Sequence, residues 1–124
     1  MKTRLAVISL WSDNVAKTIH FYKDVIGLTL SHHGASRPHF DLGSCFLVIL
    51  EGHPIKSSDA SSERFPLLAF AVDNLDNAIN ELQAHQIEMP WGIEHDEHSR
   101  WTMIEDPGGN LIELVQFGEQ LGFR

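Results

Sequence analysis

Glu113 interrupts the apolar run Leu111-Ile112-Glu113-Leu114-Val115, which follows the turn Asp106-Pro107-Gly108-Gly109. A carboxylate on a strand is costly to desolvate unless it meets water, a cation or a metal. Its position therefore asks for a role: metal ligand, acid–base group, counter-charge to an organic ligand, or none. The eight histidines raise the same question. His32 and His33 are neighbours on a predicted strand and point to opposite faces, so only one of them can share a face with His39. The alternative is a polar, solvent-facing edge. Glu94-His95-Asp96-Glu97-His98 contains a His-x-x-His pair, but it follows Pro90-Trp91-Gly92 and has no apolar stripe, so it reads as an acidic loop.

Nucleophilic catalysis finds little footing. Cys45 lies in an apolar run, the setting of a buried thiol. No serine stands in a G-x-S-x-G elbow and no glycine loop is spaced to cradle phosphate. The aromatic residues say more. Trp11 ends the first predicted strand, and Trp91 and Trp101 bracket the acidic run. Each is a core candidate by type; together they are also candidates for the wall of a site that takes a flat or cationic ligand. Alternation puts Leu5, Val7, Ser9 and Trp11 on one face. The face of Trp101 is left open, because the turn that follows allows more than one register. Arg100 is a candidate for an anionic substituent or for the plain surface.

Composition narrows the classes. The chain has 124 residues, 43% hydrophobic and 21% charged, as expected of one compact globular domain. Seventeen acidic against nine basic residues give a formal net charge of −8, which argues against a nucleic-acid partner. No apolar run approaches a membrane span. The single cysteine excludes an internal disulfide and fits a reducing, cytoplasmic setting.

The elements that must position these residues follow from periodicity. Leu5–Trp11 predicts a strand. Ser12-Asp13-Asn14 supplies capping types, and Val15, Ile19, Tyr22 and Ile26 give a helical stripe that Gly27 ends. Extended segments follow at about Thr29–His33, Arg37–Asp41 and Cys45–Leu50, then a polar, serine-rich loop from His53 to Glu63. The pattern restarts with a strand at Leu67–Val72, a cap at Asp73, and a stripe of Leu75, Ile79 and Leu82. Residues 86–98 have room for a short strand. Arg100–Glu105 and Asn110–Phe117 form a hairpin across Asp106-Pro107-Gly108-Gly109. The halves overlay: Asp13-Asn14 on Asp73-Asn74 at an offset of 60, and Asp41-Leu42-Gly43 on Asp106-Pro107-Gly108 at 65. This is a duplicated strand-helix-three-strand unit. Module one is about 1–52, the linker about 53–64 and module two about 65–124 of a single domain.

With that order of elements, FYKDVIGL (Phe21–Leu28), LAFAVDNLDNAI (Leu68–Ile79) and EDPGGNLIELVQ (Glu105–Gln116) resemble the vicinal oxygen chelate superfamily, which includes glyoxalase I, extradiol dioxygenases and bleomycin-resistance proteins. The resemblance spans nearly the whole chain. It implies an α+β fold in which two βαβββ modules form a cupped mixed sheet with helices outside, and it implies a homodimer. Many such enzymes hold a divalent metal through one residue on the first and one on the last strand of each module. Those positions fall on Val7, on Leu67, on Val48 or Ile49, and on Glu113. Only Glu113 is a ligand type, so neither a metal nor another cofactor is expected. A rearranged site would have to recruit His39 or Glu51.

The sequence thus favours a metal-free small-molecule-binding protein of the glyoxalase/bleomycin-resistance type. Val7, Ser9, Trp11, Leu67, Trp101, Glu113, His95 and Arg100 are its candidate ligand contacts. The alternatives are a superfamily lyase, isomerase or dioxygenase with Glu113 as catalytic acid or base, and a dimer whose cleft is filled by its own side chains. Glu113 is expected first as an unused remnant at a cleft wall, second as a contact or proton-transfer group for an organic ligand, and third as a metal ligand.

Overall fold

A computed structural model describes residues 1–31, 38–54 and 66–118. His32, His33 and most of the serine-rich stretch lie outside the described residues. The fold is α+β, built from two βαβββ modules. The first contains β1 (Val7–Ser12), α1 (Val15–His20), β2 (Leu30–Ser31), β3 (His39–Asp41) and β4 (Phe46–Glu51). The second contains β5 (Leu68–Ala71), α2 (Leu75–Ala84), β6 (Glu94–His95), β7 (Ser99–Glu105) and β8 (Leu111–Phe117). Each makes a four-stranded sheet, ordered β1-β4-β3-β2 and β5-β8-β7-β6. In both, the first strand runs parallel to the last and the other pairs are antiparallel. The repeat read from the sequence is thus a repeat of topology. The two modules correspond to two compact units, the turn 107–109 excepted.

Each helix starts at an asparagine, 60 residues apart. Asn14 Oδ1 accepts from the backbone N–H of Lys17 at 3.1 Å, and Asn74 Oδ1 from that of Asn77 at 3.0 Å. The cap expected at Asp73 is therefore Asn74, one residue on. The first helix also differs from its expected regular course: after His20 it widens into a π-helical turn, Phe21–Val25, with Ile26 N–H bonded to Phe21 O at 3.0 Å. Gly27, at φ +87°, ends it in the left-handed region that favours glycine.

One face of each sheet packs on its helix. In the first unit Leu10, Phe40, Leu47 and Ile49 are buried, as are Phe21 and Tyr22. The Tyr22 and Phe40 rings lie 6.2 Å apart. Ser12 and Thr18, both fully buried, pair their hydroxyls at 2.7 Å and so tie the end of β1 to α1. In the second unit Ile104, Ile112 and Leu114 are buried with Leu75 and Leu82 of α2. Each such side chain contributes about 1.5–3 kcal/mol by leaving water. Gln116 Oε1 accepts from Leu75 N–H at 2.8 Å, satisfying one of the orphan donors at the start of α2.

The β7–β8 turn is held by Asp106, only 4% exposed. Its carboxylate accepts from Asn110 N–H at 2.8 Å and from Asn110 Nδ2 at 3.0 and 2.9 Å. Removing it leaves these donors without their partner, a loss of about 1–3 kcal/mol. Asp106→Ala is expected to lower the urea midpoint by that amount with an unchanged m-value. An unaltered midpoint would show that the turn does not depend on Asp106.

Candidate functional site

The face of each sheet turned away from its helix is set by register, since paired residues project to the same side and successive ones alternate. In the second unit Glu113 pairs with Ala69 of β5 and Met103 of β7. Trp101 pairs with Val115, and Glu94 with Trp101. Glu94, Trp101, Met103, Glu113, Val115, Ala69 and Ala71 therefore share this far face. Leu67, just before β5, is 41% exposed. In the first unit Val7 pairs with Phe46, Ser9 with Val48 and Trp11 with Leu50, while His39 also pairs with Val48. Val7, Ser9 and Trp11 thus share the far face of the first sheet with His39, whose ring meets that of Phe46 edge-on at 5.1 Å.

The remaining candidates lie elsewhere. Arg100 and His95 pair with each other on the helix side of the second sheet. Arg100 Nη2 donates to Asp76 Oδ1 of α2 at 3.0 Å. Neither residue is gathered with Glu113. Glu51 pairs with Ser12 and so has the parity opposite to Val48 and His39.

The acidic run is not a plain loop: Glu94 and His95 form β6. Asp96 then organises the bend into β7, accepting from His98 N–H at 2.8 Å, Ser99 N–H at 2.7 Å and Ser99 Oγ at 2.9 Å. The His98 backbone bond is the main cause that holds this carboxyl below its ordinary range. Sequence reasoning missed Glu94 and Met103 as companions of Glu113. The signal was present in Asp96-x-x-Ser99, a bend motif that turns the chain back and sets Glu94 opposite Trp101.

Glu113 is half-buried and its pKa is raised, first by desolvation and then by the charge of Glu94. Trp101 Nε1 is buried and has no hydrogen-bond partner among the described residues. On the first sheet Trp11 is 51% exposed, and its ring lies over Gly52, where an added Cβ would stand 2.6 Å from Cε3. Glycine at position 52 makes room for that indole.

A model of the Glyoxalase/Bleomycin resistance protein/Dioxygenase superfamily matches residues 4–114. The chain belongs to this superfamily. Solved structures of the same fold include a lactoylglutathione lyase from Agrobacterium tumefaciens, at 23% identity and a TM-score of 0.70 with both chains fully covered. An antibiotic-binding protein from Streptomyces shares 19% identity at a TM-score of 0.69, covering 94% of this chain and 98% of its own. A fosfomycin resistance protein from Listeria monocytogenes shares 18% at 0.76, covering 97% and 98%.

Within the glyoxalase-type frame, the register decides the open metal position. Val48 pairs with Ser9 as Glu113 pairs with Ala69, and the offsets of 65 and 60 are those of the repeat. Val48, not Ile49, is the counterpart of Glu113. The four positions are then Val7, Val48, Leu67 and Glu113, one carboxylate among three hydrocarbons. A zinc site takes about three protein ligands with an open position, and this donor set does not fit it. Among the described residues no three histidine, cysteine or acidic side chains are grouped to hold a metal.

The raised pKa of Glu113 has a signed consequence. Folding favours its protonated form, so its contribution to stability falls as pH rises from the unfolded pKa through the higher folded one. Glu113→Gln, which cannot ionise, is expected to melt higher than the parent at pH 7.5, by about 1–3 °C. The gap should close toward pH 4. A variant that melts lower at both pH values would contradict this assignment.

Proposed function

We propose that this protein binds a small organic ligand without a catalytic metal. The carrying observation is the donor set: of four superfamily metal positions, Val7, Val48 and Leu67 have no lone pair to offer. The far faces supply what a ligand site needs instead. Each sheet offers a tryptophan there, Trp11 on the first and Trp101 on the second, with small or apolar neighbours such as Ser9, Ala69 and Met103. Structures of the same fold that are an antibiotic-binding protein and a fosfomycin resistance protein support this class of function. The reading includes a homodimer and a cytoplasmic location, the latter in keeping with the buried free thiol of Cys45. No described helix is long and apolar enough to cross a membrane.

A second reading is acid–base catalysis by Glu113, favoured by the direction of its pKa. A carboxyl poised above its ordinary range is better matched to proton transfer near neutrality.

Protein loaded with excess zinc, iron, nickel or manganese and then dialysed is expected to retain no stoichiometric metal by elemental analysis. One equivalent retained by the parent and lost in Glu113→Gln would overturn the metal-free reading. Tryptophan fluorescence against a panel of cationic aromatics and small carbonyl compounds is expected to report saturable quenching. Silence across that panel would favour a site filled by the protein's own side chains.

A further inference from the structure

We draw no further inference here: the strongest candidate, the surface patch of Val7, Trp11 and Phe46 on the far face of the first sheet, carries nothing because nothing in the structure shows what covers it.

Discussion

Everything in this fold depends on the parallel pairing of the first strand of each module with its last. That pairing cannot be closed by a hairpin; the chain must pass through a helix and two further strands before the partner arrives. Once closed, it divides each sheet into a face sealed by its helix and a face left for other uses. Leu10, Leu47 and Ile49, like Ile112 and Leu114, take the sealed side. The residues beside them in sequence are forced to the other by alternation. A single-residue slip of β8 against β5 would drive Glu113 into the helix-packed core and expose Ile112 and Leu114. The hydrophobic cost of that exchange fixes the register.

The duplicated modules have diverged in chemistry while keeping this constraint. Ser9 and Val48 in the first unit stand where Ala69 and Glu113 stand in the second. The first unit's far face presents Val7, Trp11 and Phe46, all exposed by two-fifths or more, together with Ser9, His39 and Asp41. The second carries Glu94 and Glu113. The cost of a half-desolvated Glu113, two strands from Glu94 on the same face, is borne by a module whose turn and helix start are tied by Asp106 and Gln116.

Much of this was legible in the residues. Duplication, both helices, seven of the eight strands and the placement of Val7, Ser9 and Trp11 on one face followed from periodicity, capping types and turn signals. The exceptions share a cause. Asp73 and Asn74 are both good caps, and only the backbone geometry at Asn74 chooses between them. The widening at Phe21–Val25 has no signature in FYKDV. Two-residue β6 is too short for any period to show.

The sequence by itself determined which side chains alternate with the core and that three of four metal positions lack a donor, because both follow from residue type and a period of two. Only the tertiary structure decided that Val48 is the counterpart of Glu113, that Trp101 and Glu94 share its face, and that Arg100 and His95 do not. Those facts depend on which residue lies opposite which across separate strands. That register is set by the packing of whole faces, over contacts remote in the chain, and no local pattern encodes it.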